Sequence, residues 1–216
     1  MVRAEPANLV YGNLLRQAMV QRGEAAELVA FFEELKGADP AVRLQRALAY
    51  VDGLQNPDLG SALLGQMSLK SIAELDKILE ENPYHWLARL SRGLNNLYWP
   101  VGLRRTDKAV ADLGVAVAIA EALHDFNEPY VAMAYAAYGD ALVKAEQVAE
   151  GVRVWRRGLE RFPDSTELQQ RVEAGEQGAA ALVERERGID TFTRPKPGLT
   201  DLRVIWDRTR RATASQ

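Results

Sequence analysis

Residues able to carry catalysis or hold a metal are sparse in this chain. It has two histidines, His85 and His124, and no cysteine, so thiol nucleophiles, disulfides and thiolate metal sites are excluded together. Neither histidine stands in an H-x3-H or H-E-x-x-H arrangement, the spacings that set two imidazoles on one helix face. His124-Asp125 falls in an expected interhelical turn and reads as a capping or surface pair. No G-x-G-x-x-G, G-x4-G-K-[ST] or G-x-S-x-G occurs, so a phosphate cradle and a hydrolase elbow have no support. Glu80 with Glu81, and Glu184 with Glu186, are expected on exposed helix faces and nominate no acid–base pair. The expectation is a protein that is not an enzyme, with no catalytic residue, no metal and no cofactor.

The remaining chemistry is that of contact. Arg92, Asn95 and Asn96 share one helical face, and Asp140 stands one turn before Lys144. These groups either touch a partner or stay solvated, in which case Asp140 and Lys144 form an i,i+4 ion pair of about 0.2–0.5 kcal/mol. Tyr84, His85, Trp86, Tyr98 and Trp99 form an aromatic cluster around a Pro/Gly loop. Trp86 and Tyr98 read as packing between helices, while Trp99 is a candidate anchor for a partner, since Trp is enriched where binding energy concentrates. Near the C-terminus, Leu199, Leu202, Ile205 and Trp206 lie at near-helical spacing ahead of Arg208, Arg210 and Arg211. This short amphipathic stretch docks either on a partner, with Trp206 as a second anchor, or back on the body of the chain.

The elements that must position these groups announce themselves through proline. Pro6, Pro40, Pro83, Pro129 and Pro163 lie 34, 43, 46 and 34 residues apart, each just before a helix-like apolar pattern. Proline lacks an N–H and fixes φ, so it breaks one helix and helps begin the next. The spacing predicts helical hairpins over about 6–39, 40–82, 83–128 and 129–162. In the first, Tyr11, Leu14, Leu15 and Ala18 share a face, and the chain turns at Gly23 into Leu28, Phe31, Phe32 and Leu35. In the second, Leu44, Ala47, Leu48 and Val51 form one stripe and Ile72, Leu75, Ile78 and Leu79 another. An inserted segment is expected between them, opening at Asn56-Pro57 and reaching about Ser68. A further insertion, about 98–105, separates the helices of the third hairpin. After Pro163 a polar helix is expected to about Arg187 as a cap, followed by a C-terminal extension, 188–216, with helix breakers at Gly188, Pro195, Pro197 and Gly198.

Between Pro129 and Pro163 the pattern sharpens. Tyr135, Tyr138, Gly139 and Leu142 follow the W-x2-L-G-x2-Y frame, and Gly151, Trp155, Gly158 and Pro163 fall at second-helix offsets. On these residues the chain resembles the tetratricopeptide repeat (TPR) family over roughly residues 6–187. The resemblance implies an all-α, right-handed α-solenoid of about four hairpins whose first helices line a concave face. Carrying the family's inward-facing positions onto this chain nominates Arg16, Gln45, Asp52, Arg92, Asn95, Asn96, Asp140 and Lys144 as polar candidates for protein binding. A clamp for a terminal carboxylate is not implied, because no clear Lys-x3-Asn frame is present and Asp140 would oppose the ligand.

With 47% hydrophobic and 26% charged residues, the chain has material for a sizeable core. The net charge of −3 is uneven: residues 188–216 hold six Arg or Lys against three Asp. An acidic body argues against nucleic acid, whose phosphates need a clustered basic face. No apolar run approaches the length of a membrane span or a secretory leader, so a cytoplasmic protein is expected. The expected function is non-catalytic binding of a protein or peptide segment in the concave groove, as adaptor, scaffold or assembly factor. The alternatives are a homo-oligomer built through the stack end or the tail, and a small-molecule binder or enzyme with a pocket formed by the 55–68 and 98–105 insertions.

Overall fold

The computed structural model describes residues 1–123 and 129–203, and every regular element among them is helical. In chain order these are α1 (Leu9–Gln21), α2 (Ala25–Glu34), α3 (Pro40–Gly53), α4 (Ser61–Glu81), α5 (Trp86–Leu97), a 3-10 turn (Val101–Leu103), α6 (Thr106–Ala122), α7 (Pro129–Lys144), α8 (Val148–Arg161) and α9 (Thr166–Arg187). No helix among the described residues is long and apolar enough to cross a membrane.

Helix starts follow two proline rules. Pro40 and Pro129 are the first residues of α3 and α7, where a missing N–H costs nothing; Asp39 caps α3 by accepting from the Ala41 N–H at 2.7 Å. Pro6, Pro83 and Pro163 instead stand two residues before a capping side chain. Asn8 accepts from the N–H groups of Val10 and Tyr11, His85 Nδ1 from Ala88 at 3.2 Å, and Ser165 Oγ from Leu168 at 3.4 Å. Burial holds the His85 imidazole below its ordinary pKa, which keeps Nδ1 available as an acceptor.

The insertion expected to run to Ser68 is mostly helix. Only residues 54–60 form the connection, and residues 61–68 are the first two turns of α4, a helix of 21 residues. Leu64 and Ser68 of those turns are buried, so tertiary burial extends the helix beyond the stripe that begins at Ile72.

The chain divides into two compact units, residues 1–88 together with those from 194 onward, and residues 89–193. In the first unit α1, α2, α3 and α4 pack as sequence neighbours, with α1 also against α3. Val2, Leu28, Phe32, Leu35, Val42 and Ala49 form a core cluster there, flanked by Tyr11, Leu15 and Phe31. In the second unit α6, α7, α8 and α9 pack in sequence, with α7 also against α9. Trp155 is fully buried and its indole N–H donates to the Ala136 carbonyl at 3.1 Å, which satisfies the one polar atom of that ring. α7 and α8 approach closely at Gly139 and Gly151, where a Cβ on either residue would stand 2.8 or 2.7 Å from the other's carbonyl oxygen.

Candidate functional site

In the first unit, Asn13, Arg16 and Gln17 occupy the face of α1 opposite Tyr11, Leu14 and Leu15, and all three are buried. Arg16 donates from Nη1 to Asp52 Oδ2 at 2.6 Å, joining α1 to α3. Its Nη2 donates to Asn13 Oδ1 at 2.9 Å and to the Thr200 carbonyl at 3.1 Å. Thr200 in turn donates its hydroxyl to Asp52 Oδ1. Asn13 donates to Asp201 Oδ1 at 3.0 Å and accepts from the Leu202 N–H at 2.9 Å. Burial raises the Asp52 carboxyl above its ordinary range, outweighing Arg16 and the Thr200 hydroxyl, which act to lower it. Gln45, also buried on α3, donates to the Pro6 carbonyl at 2.6 Å, and its Oε1 fills the space a Cβ at Gly12 would take.

The stretch 194–202 is laid down by further side chains of this unit. Arg194 reaches the carbonyls of Leu54 and Asn56 at 2.9 and 2.5 Å and that of Leu59 at 3.1 Å, tying down the end of α3 and the loop before α4. Gln55 returns the contact by donating to the Pro195 carbonyl at 2.8 Å. Lys196 to Leu199 then form a tight turn, with the Leu199 N–H on the Lys196 carbonyl and Gly198 at φ +82°. Pro followed by a positive-φ Gly is the type II turn combination.

In the second unit Arg92 holds Asp112 of α6 through Nε and Nη2, each at 2.7 Å, and Arg89 adds a third bond at 2.7 Å. Asn96 is buried, donates to the Arg92 carbonyl at 3.0 Å and accepts from Arg105 at 3.1 Å. Asn95 on the same helix is buried as well. Trp99 is half-buried, with the Arg105 guanidinium 5.1 Å above its ring, a cation–π contact that orients the indole.

Asp140 and Lys144, one turn apart on α7, direct their charged groups to other parts of the unit. The fully buried Asp140 carboxylate accepts two bonds of 2.7 Å from Arg171 and one of 2.8 Å from Arg187, both on α9. Burial acts to raise this carboxyl, but the two guanidiniums outweigh it and hold it below its ordinary range. Arg187 also donates to the Tyr98 hydroxyl at 2.5 Å and to Glu167 at 3.2 Å. Lys144 donates to the carbonyls of Leu97 and Trp99 at 2.8 and 2.7 Å and to that of Gly188. Burial draws its ammonium down to about 8. Beside it lies a pocket of about 410 Å³ whose lining includes Arg104, Thr106, Asp107 and Glu146, charges of both signs that select neither an anion nor a cation.

The polar candidates are therefore almost all withdrawn from water, with Arg92 half-buried, and the contacts described for them lie within the chain. Arg16 and Asp52 are brought together across α1 and α3, Arg92 pairs with α6, and Asp140 pairs with α9. Trp206 lies outside the described residues. Sequence reading missed Asn13, Asp112, Arg171, Arg187 and Thr200. Asn13 was legible as the polar neighbour of Arg16 at i,i+3; Arg171 and Arg187 look like any other charges on a polar helix. Compared with family models, curated proteins and solved structures, the chain matches none of them.

Proposed function

We propose that this protein is a non-catalytic interaction module, a right-handed α-solenoid of TPR-like hairpins that binds a protein or peptide segment on the face formed by its first helices. The observation that supports this reading is in the first unit. There, side chains of α1 and α3 already hold a non-helical segment, residues 200–202, by bonds to its backbone and side chains alike. Short-segment recognition uses the same devices, with main-chain bonds for affinity and side-chain bonds for selectivity. In the family this chain resembles, the equivalent face binds peptides.

Panning a displayed peptide library over the full chain tests the proposal. The expected result is enriched peptides that slow amide exchange on α1 and α3. No enrichment, or protection confined to other helices, overturns it.

A second reading is favoured by the N-terminal hairpin. Met1 and Leu14 are 81% and 52% exposed, beside Tyr11, Leu15 and Phe31, around an apolar groove of about 520 Å³. Such a patch suits self-association through the end of a stack. Sedimentation over a hundred-fold concentration range decides it: a mass independent of concentration removes the homo-oligomer.

A further inference from the structure

Side chains of α1 and α3 bond to both the backbone and the side chains of residues 200–202. We propose that this α1–α3 face is a receptor for a hydroxyl, an acidic and an apolar residue in succession, and that residues 200–202 occupy it in cis, so that a partner carrying the same chemistry competes with them. The inference rests on the binding-module reading above and names the ligand class.

Three successive residues are each recognised by a different group. Thr200 is read twice, its hydroxyl by Asp52 and its carbonyl by Arg16 at 3.1 Å. Asp201 is read by the Asn13 amide at 3.0 Å. Leu202 is read by its N–H, donated to Asn13 Oδ1 at 2.9 Å, while its side chain is 4% exposed. One asparagine thus uses its acceptor and its donor on neighbouring residues, which sets their register. Valine in place of Thr200 would leave the Asp52 oxygen unmatched, and a slip of one residue would carry the Thr200 hydroxyl and the Asp201 carboxylate away from Asp52 and Asn13.

The receptor is also organised independently of its occupant. The bond between Arg16 and Asp52, at 2.6 Å, joins two helices without help from the segment, and Asn13 to Arg16 is a contact within α1. The occupant, by contrast, is bounded by exposed chain: Lys196, Pro197 and Gly198 on one side and Arg203 on the other. Gly198 supplies a positive-φ hinge at φ +82°. A tripeptide with Thr200 and Leu202 buried, set between an exposed turn and an exposed arginine, can leave as a unit, with the helices beneath it still paired.

The test uses the full chain and a fluorescein-labelled synthetic peptide of residues 196–203. A Thr200→Val/Leu202→Asp variant of the full chain releases its own segment and leaves Asn13, Arg16 and Asp52 intact. The peptide is expected to bind this variant at least about ten-fold more tightly than the parent chain, and a peptide carrying Thr200→Val to lose about ten-fold or more, the usual scale for one bond to a charged group. Equal binding to parent and variant, or to both peptides, overturns the proposal, provided circular dichroism shows the parent's helicity. If the variant does not fold, amide exchange of the parent decides: a Leu202 amide that exchanges by local opening, faster than the α1 core, supports the proposal, and one that exchanges only on global unfolding overturns it. Failure here separates from failure of the module itself. Library peptides that bind parent and released variant alike leave the module standing and remove the cis occupant; binding of the 196–203 peptide to the released variant alone supports both.

Discussion

Asp140 and Arg171 face each other across α7 and α9 in a two-bond pair, both contacts at 2.7 Å and both side chains out of reach of water. A fork of this kind is the strongest ion-pair geometry available to a protein, and here Arg187 adds a third bond at 2.8 Å. One carboxylate thus serves two guanidiniums, and Glu167 stands 3.3 and 3.2 Å from them as the second negative charge.

Removing that carboxylate leaves both guanidiniums buried without their main counter-charge. Asp140→Ala is expected to destabilise the protein by about 3–5 kcal/mol, the usual cost of breaking one side of a buried pair. Chemical denaturation monitored by circular dichroism measures it, and a loss below about 1 kcal/mol would show that water or Glu167 replaces the contact.

Acid should act in opposite senses on the two buried carboxylates. Asp140, held below its ordinary value of 3.8, contributes stability above that value, and the contribution is lost as pH falls through its folded pKa. Asp52 is raised above 3.8, so the folded state takes up its proton first and this group's contribution improves as pH falls toward 3.8. The advantage of the parent over Asp140→Asn should therefore shrink on acidification from pH 7 to pH 3. Its advantage over Asp52→Asn should grow from pH 7 to about pH 4. Unfolding free energies of the three proteins at several pH values check both signs.

The approach of α7 to α8 depends on two glycines. A Cβ at Gly151 would meet the Gly139 carbonyl oxygen at 2.7 Å, and backbone cannot step aside as a side chain can. Gly151→Ala adds about 1 kcal/mol of helix propensity yet is expected to cost about 1–3 kcal/mol net through overpacking. A shift of the urea midpoint at unchanged slope would register it.

Arg194 gathers the carbonyls that follow α3. Arg194→Ala frees those of Leu54, Asn56 and Leu59 and is expected to cost about 1–3 kcal/mol. Amide exchange over 54–60 and 194–202 should quicken together while α6 to α9 are unchanged. Quickening at 54–60 alone would show that the extension is held by residues 200–202 without help from Arg194.

The helices could be read from the chain with few errors, because what begins and ends a helix acts over a few residues. Pro40 and Pro129 start their helices, and Ile72, Leu75, Ile78 and Leu79 are all buried as their spacing requires. The early start of α4 was not legible. Residues 61–68 follow the loop-like Asn56-Pro57-Asp58-Leu59-Gly60 stretch and become helix where Leu64 and Ser68 find burial.

Local pattern by itself determined where most of the helices lie, α4's first turns excepted, and which stripe of each is apolar, since both follow from a period of 3.6 residues and from capping within one turn. Tertiary structure alone decided the fate of the polar groups. Asp140 and Lys144 sit at ion-pair spacing, yet the first takes guanidiniums 31 and 47 residues away and the second takes carbonyls 44, 45 and 47 away. An ion pair on an exposed helix is worth a few tenths of a kcal/mol, whereas an unmatched charge in the interior costs several. Once packing buries such groups, their partners are set by whatever the fold brings within reach, and nothing in the neighbouring sequence specifies that.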